Sequence, residues 1–297
     1  MVKFGAPVFM NVDQKAAGAG QSHGVTDFDP EALARKHVEK GFSAAYAPHI
    51  DINDTDLIRR TREAFNKEGV VIGEVGYWEN LLDTNEEGRK KSHQGMLSAL
   101  ALAEELGARC SVNVIGSYCD GHFVNANNAK NFSDEAFEQA VQNARYFIDQ
   151  VKPKTAFFTY EIYEFSNNDS PENLECFLKA VDRPQFGIHL DLTNMVNSAR
   201  NYYAHLDLLA DTIKRVGNRI VCSHIKDVKM RDGVVSVILE EVMPGTGNID
   251  IRAYLRAVNK LPQIVPMLIE HLSSEEEYDI AASYVRKCAA QEGITLL

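Results

Sequence analysis

Short apolar runs alternate with longer amphipathic stretches along the whole chain. The runs at 4–9, 43–47, 70–75, 110–115, 155–160, 186–190, 219–225 and 264–269 have the length and composition of strands. Between them, residues 30–40, 55–68, 90–106, 133–151, 170–181, 203–216, 249–259 and 273–291 carry a helical pattern. The punctuation agrees. Pro30 suits a first helical turn, Ser133 and Ser170-Pro171-Glu172 open helices, and Gly41, Gly69 and Gly107 stand at helix stops. Strict alternation predicts a parallel sheet with crossover helices, of α/β class. Eight units predict closure into a single (β/α)8 barrel spanning 1–297, a length ample for that architecture. The alternative is an open doubly wound sheet, but no Gly-x-Gly-x-x-Gly follows the first strand. No linker rich in Pro, Gly or Ser divides the chain, so one domain is expected.

The longest interruption, residues 116–131, follows the fourth strand and contains Tyr118, Asp120, His122 and several asparagines. A polar loop of this length is a candidate lid over the barrel mouth.

Active sites of (β/α)8 barrels lie at the C-terminal ends of the strands. The last four strands end Phe157-Phe158-Thr159-Tyr160-Glu161, Gly187-Ile188-His189-Leu190-Asp191, Cys222-Ser223-His224 and Met267-Leu268-Ile269-Glu270. One carboxylate after a strand is often only a helix N-cap or a solvated loop residue. Four consecutive strands each ending in a metal-capable side chain point instead to convergence on the barrel axis. Three carboxylates and an imidazole make a hard site, suited first to Mn2+, with Mg2+, Co2+ or Zn2+ as alternatives. Packed together without a cation, the carboxylates would repel and raise one another's pKa.

Other polar residues near strand ends are candidates for substrate contact. They are His49 after the second strand, Glu74 and Trp78 at the third, His122 in the long loop, Glu164 after the fifth and Asn194 after the sixth. His189 lies two before Asp191, on the same barrel face, and Lys226 and Asp227 follow His224. Each also has a plainer reading, as a core histidine, a core tryptophan or a loop residue. Pro244-Gly245-Thr246-Gly247-Asn248-Ile249-Asp250 is a tight loop that lacks the Gly-Lys-Ser/Thr ending of a phosphate loop.

Composition narrows the partners. The chain is 45% apolar and 25% charged, with a formal net charge of −11. That charge disfavours nucleic acid and anionic membrane surfaces, leaving a small molecule as the expected partner. The five cysteines form no Cys-x-x-Cys pair, and Cys110 and Cys222 sit inside strand-like runs, as small buried hydrophobes in a reducing compartment would. No apolar stretch of 18 residues occurs, and the N-terminus enters a strand with no signal-peptide h-region, so a cytoplasmic location is expected. No Gly-x-Ser-x-Gly elbow is present.

The chain resembles the sugar phosphate isomerase/epimerase superfamily, the xylose isomerase-like TIM barrels. The resemblance rests on Glu161, Asp191, His224 and Glu270 at their strand ends. It extends to Asp169-Ser170-Pro171-Glu172, Gly187 to Asn194, Ser223-His224-Ile225-Lys226-Asp227, Pro244 to Asp250 and Leu268-Ile269-Glu270-His271-Leu272. It implies a divalent-metal-dependent isomerase or epimerase of a carbohydrate, working through a metal-stabilised enediolate with Glu161 and Glu270 as the acid/base pair. It also implies a homodimer or homotetramer. Ketose 3-epimerases of this superfamily carry a histidine three residues after the metal-binding Asp and an arginine six after the metal-binding His; here those positions are Asn194 and Met230. The departures point towards sugar acids, inositols or keto-glycosides. A lyase on the same scaffold, of inosose dehydratase or keto-glycoside-cleaving type, is the alternative. An endonuclease IV-type nuclease is disfavoured by the charge and by missing extra ligands, and a non-catalytic partner subunit by the complete ligand set.

Overall fold

The computed structural model describes residues 1–10, 27–121 and 124–296. Its elements follow in order: β1 (Val2–Gly5), α1 (Pro30–Glu39), β2 (Ala44–Tyr46), α2 (Thr55–Glu68), β3 (Val71–Gly76), α3 (Glu86–Leu106), β4 (Cys110–Asn113), α4 (Asp134–Val151), β5 (Phe157–Glu161) and α5 (Pro171–Val181). Then come β6 (Phe186–Asp191), α6 (Ala199–Tyr203), α7 (His205–Val216), β7 (Ile220–Ile225), β8 (Asp227–Met230), β9 (Leu239–Val242), α8 (Ile251–Asn259), β10 (Val265–Ile269) and α9 (Glu275–Gln291). Strands β1–β7 and β10 close into a parallel barrel, with β10 between β7 and β1. The expected (β/α)8 barrel is the fold.

Local chemistry explains the helix ends. Asp29, Ser133 and Ser170 accept N-cap hydrogen bonds from Ala32, Ala136 and Asn173, and Pro30 and Pro171 occupy first turns. Gly69 and Gly107 close α2 and α3 in the left-handed conformation. The main core lies between the barrel and the helix ring, with Phe4, Phe65, Phe147, Phe158 and Tyr254 among its fully buried side chains. A smaller cluster of Ala44, Tyr46, Cys110, Val221, Cys222 and Leu268 joins strands from across the barrel. Cys110 and Cys222 are free and buried, as their setting in the sequence suggested.

Several boundaries differ from the sequence reading, among them the first strand, expected over 4–9 and found at Val2–Gly5. Helix α3 begins at Glu86 rather than 90, because Asn85 caps it through the Glu87 and Gly88 N–H groups. The helix expected over 203–216 begins at His205, as α7, and a short helix that was not expected, α6, precedes it up to Tyr203. Residues 227–242 form an unexpected antiparallel hairpin, β8–β9, standing on the mouth directly after β7. Among the described residues, no helix is long and apolar enough to cross a membrane.

Candidate metal centre

Sheet register sets the height of the site. Asp191 pairs with His224 across β6 and β7, Leu268 on β10 also pairs with His224, and Glu161 on β5 pairs with His189. Glu161, Asp191, His224 and Glu270 therefore reach the axis together, each offering a ligand atom within 4.8 Å of the others. All four are buried. His224 Nδ1 lies 3.1 Å from Glu161 Oε1, 2.8 Å from Glu270 Oε1 and 3.7 Å from Asp191 Oδ2. The structure thus brings together the four residues that the strand ends nominated.

Lys226 shares the pocket floor. Its Nζ lies 2.8 Å from Asp191 Oδ2, 2.8 Å from Glu270 Oε1 and 4.0 Å from Glu161 Oε1, with the side chain 1% exposed. The charges hold one another in place. Burial alone would raise the Asp191 and Glu270 carboxyls. Lys226 beside Asp191, and His224 with Lys226 beside Glu270, keep both below the usual carboxylate range instead. Glu161 goes the other way, because burial and the neighbouring Glu270 raise it. Against the burial that opposes their charge, Lys226 is raised chiefly by Asp191 and His224 chiefly by Glu270 and Glu74. Three carboxylates and one imidazole form a donor set that fits a divalent cation, with the Lys226 ammonium beside them as a charge partner, and a cation would relieve the repulsion that raises Glu161.

The other nominated residues take varied places. Asn194 Nδ2 donates to Glu161 Oε1 at 3.2 Å and to the Ile162 carbonyl at 2.9 Å, so it holds a ligand carboxylate. Glu164 follows β5, and burial raises its carboxyl, with Lys226, Asp191 and Glu241 as its charged neighbours. Trp78 is half-buried and lies over Gly76, where a Cβ would come within 2.9 Å of the indole nitrogen. His122 lies outside the described residues.

Three expectations need correction. Glu74, nominated for substrate, is 1% exposed and spends its carboxylate on two imidazoles: Oε2 lies 2.6 Å from His189 Nε2 and 3.1 Å from His224 Nε2. Burial would raise Glu74, but the two histidines outweigh it and hold the carboxyl at about 2. His189 is correspondingly sealed in the barrel, at 0% exposure, with its Nε2 on Glu74. Asp227 accepts hydrogen bonds from the Val228, Gly245, Gly247 and Ile249 N–H groups. It organises the Pro244–Asp250 loop rather than facing a ligand. Gly247 is required there, since a Cβ would lie 2.3 Å from Asp227 Oδ1. His49, also nominated for substrate contact, lines a cavity of about 420 Å³ with Asp51, Asn53, Tyr77 and Ser98, between the β2–α2 loop and α3.

The candidate lid is stitched down where it is described. Asn80 Nδ2 donates to the Ser117 and Gly121 carbonyls, Asn128 Nδ2 to the Tyr118 carbonyl, and Asn131 Oδ1 accepts from the Tyr118 N–H. The asparagines that made the loop look polar are its fasteners. Sequence reasoning missed Glu241, which the β8–β9 hairpin carries to the mouth. Its Oε2 is 3.6 Å from Lys226 Nζ, and its Oε1 is 2.9 Å from His271 Nδ1. His271, in the left-handed conformation (φ 61°) directly after Glu270, puts Nε2 3.5 Å from Glu270 Oε2. No local signal in the sequence announces the Glu241 contact.

Comparison with known proteins agrees with this architecture. A family model described as xylose isomerase-like TIM barrel matches residues 29–288. Similar solved structures include a xylose isomerase-like TIM barrel protein from Mycobacterium smegmatis in complex with magnesium, with 19% identity, 91% of each chain covered and a TM-score of 0.63. Another is the D-psicose 3-epimerase of Clostridium cellulolyticum H10 with D-tagatose, with 12% identity, 99% of this chain and 100% of that one covered, and a TM-score of 0.66. A third is a probable 3-DHS dehydratase from Bacillus anthracis, with 12% identity, 88% and 93% covered, and a TM-score of 0.64. At these identities the likeness is one of fold. A search of curated protein sequences gives no match.

Proposed function

We propose that this chain, which belongs to the xylose isomerase-like TIM barrel family, is a divalent-metal-dependent isomerase or epimerase of a carbohydrate. The observation that carries the reading is the buried convergence of Glu161, Asp191, His224 and Glu270 within 4.8 Å. Those four residues would hold the cation, with Mn2+ or Mg2+ favoured by the oxygen-rich set. When bound, a divalent cation supplies Lewis-acid polarisation of a substrate carbonyl.

The chain's own residues supply the proton chemistry. Glu161 and Glu270 come from different walls of the barrel, so a substrate carbon between them meets a carboxylate on each face. One removes the carbon-bound proton and the other returns it. Their environments already differ: Glu161 is raised and Glu270 is lowered. Lys226 offers an ammonium to a developing oxyanion at the same floor. Asn194 and Lys226 fix the carboxylates against which the substrate would be aligned.

Substrate class follows from what surrounds the centre. The ketose 3-epimerases of this superfamily place a histidine where this chain has Asn194, and the Asn194 amide is committed to Glu161 and Ile162. A sugar acid, an inosose or a keto-glycoside therefore fits better than a free ketose. The D-psicose 3-epimerase and the probable 3-DHS dehydratase share the fold, so loss of water after the same proton abstraction is the competing outcome.

The test is metal content of the purified chain, followed by solvent-deuterium exchange into ketoses, sugar acids, inososes and 3-keto-glycosides with Mn2+ added. Stoichiometric metal and deuterium at a carbon next to a carbonyl are expected. A dehydrated or aglycone-free product would replace the isomerase reading with a lyase, and absence of metal binding would overturn both.

A further inference from the structure

The barrel holds a second buried polar group, joined to the carboxylate cluster through His224. Glu74 comes from β3, on the wall facing β6 and β7. Its nearest polar partners are His189 and His224, both approached through Nε2. Glu74 groups with His189 and Cys222, Glu161, Asp191 and Glu270 group with His224, and Glu161, His189 and His224 form a third group that joins the two. His224 therefore stands between two sets of anions, with Nε2 towards Glu74 and Nδ1 towards the mouth.

We infer that Glu74 is the positioning residue for His224, fixing the ring so that Nδ1 presents its lone pair to the cation while Nε2 keeps its proton. This rests on the metal reading of the mouth cluster. The physical reason is tautomeric. A neutral imidazole donates from one nitrogen and ligates through the other, and the carboxylate that accepts the donated proton decides which is which. Nε2–H donated to Glu74 Oε2 at 3.1 Å leaves Nδ1 as the ligating atom. His189 reinforces the arrangement. Its ring packs edge-on to His224 with centroids 4.3 Å apart, and its Nε2 shares Glu74 Oε2 at 2.6 Å, so the carboxylate cannot rotate away without losing both partners. Tyr46 closes the other side, with its ring centroid 6.2 Å from that of His224. Ring flipping of His224 would set Nε2 against the mouth carboxylates and Nδ1 against Glu74, a geometry the packed rings disfavour. Glu74 itself reaches no substrate. Its effect is on the affinity and coordination of the cation, and on turnover only through them.

The experiment uses the full chain and the metal alone. Mn2+ and Mg2+ affinities are measured by calorimetric titration for the wild type, Glu74→Gln, Glu74→Ala and Asp191→Ala, with thermal melts of each metal-free protein. Glu74→Ala is expected to weaken binding by about 10–100-fold. Glu74→Gln should weaken it less, since the amide oxygen still accepts from Nε2–H. That graded order is one a purely structural role would not produce, because a structural defect would lower the melting temperature without changing the affinity of the folded fraction. Wild-type affinity in both Glu74 variants, with binding lost in Asp191→Ala, would overturn the role of Glu74 and leave the metal centre standing. Wild-type binding in Asp191→Ala would overturn the metal centre, and this inference with it. Should the Glu74 variants fail to fold, the native protein gives the answer. In the 15N spectrum of histidine-labelled, Zn2+-loaded chain, His224 should carry its proton on Nε2 and the metal on Nδ1, and the reverse assignment would refute the inference.

Discussion

Strands β5, β6, β7 and β10 and strands β1 to β4 form one continuous barrel, yet their polar ends are spent differently. On the first half, Glu161, Asp191, His224, Lys226 and Glu270 face one another, and their strongest partners are other charges. On the second half, Glu74 apart, the framework takes up polar groups. Tyr46 Oη donates to the Ile269 carbonyl, Asn113 accepts from the Val114 N–H and donates to the Glu79 carbonyl, and Asn80 ties down the loop after β4. Buried polar groups must be satisfied wherever they lie. A group satisfied by backbone has finished its work, whereas carboxylates held chiefly by an ammonium and an imidazole leave room for a cation. Asp227 tests the distinction, since it lies in the functional half of the barrel but follows the framework rule, with four backbone N–H donors.

The largest expected effect lies in the charged half. Replacing Glu270 with Gln removes a carboxylate from the centre and keeps the volume, so the fold should survive. Turnover, followed as deuterium exchange into whichever substrate responds, should fall by about 10²–10⁴-fold. Wild-type exchange rates in this variant would remove Glu270 from the acid/base pair and end the contrast between the two halves.

A smaller loss is expected when the framework rule is broken. Asp227→Ala strips four N–H groups of their acceptor, at a cost of about 1–3 kcal/mol for each group left unsatisfied, and water entering at the rim would recover part of it. Chemical denaturation should show a loss of about 3 kcal/mol or more, with metal affinity changed far less than in Asp191→Ala. Unchanged stability would mean that Asp227 does not hold the Pro244–Asp250 loop, and its place at a substrate would have to be reconsidered.

The sequence made the charged half legible and left most of the framework half obscure, for a reason visible in particular residues. Glu161, Asp191, His224 and Glu270 each end an apolar run, so strand periodicity alone carried them to the axis. Glu74 also sits in such a run, but its partners are 115 and 150 residues away on the far wall, and only closure of the barrel reveals them. Asp227 looked like part of a ligand motif because it follows Lys226, whereas its four donors belong to other segments or to the turn it caps. The β8–β9 hairpin was invisible because its strands are only four residues long and Glu240-Glu241 interrupts the alternation in β9. The short helix α6 was missed because five residues, Ala199–Tyr203, are too few to show a helical period.

The two halves can be compared last through two buried histidines. His224 is ringed by carboxylates and raised, while His37, on the helix behind the second half, is surrounded by apolar groups. His37 is 3% exposed, packs against the Phe65 ring and bonds through Nδ1 only to the Leu33 carbonyl at 2.9 Å. Burial lowers its pKa from 6.5 to about 4. The sign follows from proton counts. Between those values the unfolded chain carries a proton on His37 that the native chain does not, so stability rises with pH across this window. The contribution is fully present above about pH 6.5 and is lost as pH falls towards 4. By pH 4.5 the wild type should have lost about 2 kcal/mol through this residue alone, at about 1.4 kcal/mol per pKa unit. His37→Leu removes the titration and keeps an apolar side chain, and carboxylate effects common to both proteins cancel in the difference. Urea midpoints at pH 7, 5.5 and 4.5 should therefore converge, or cross, as the solution is acidified. Parallel curves would show that His37 is protonated in the native state, and that burial behind the second half does not separate the two imidazoles.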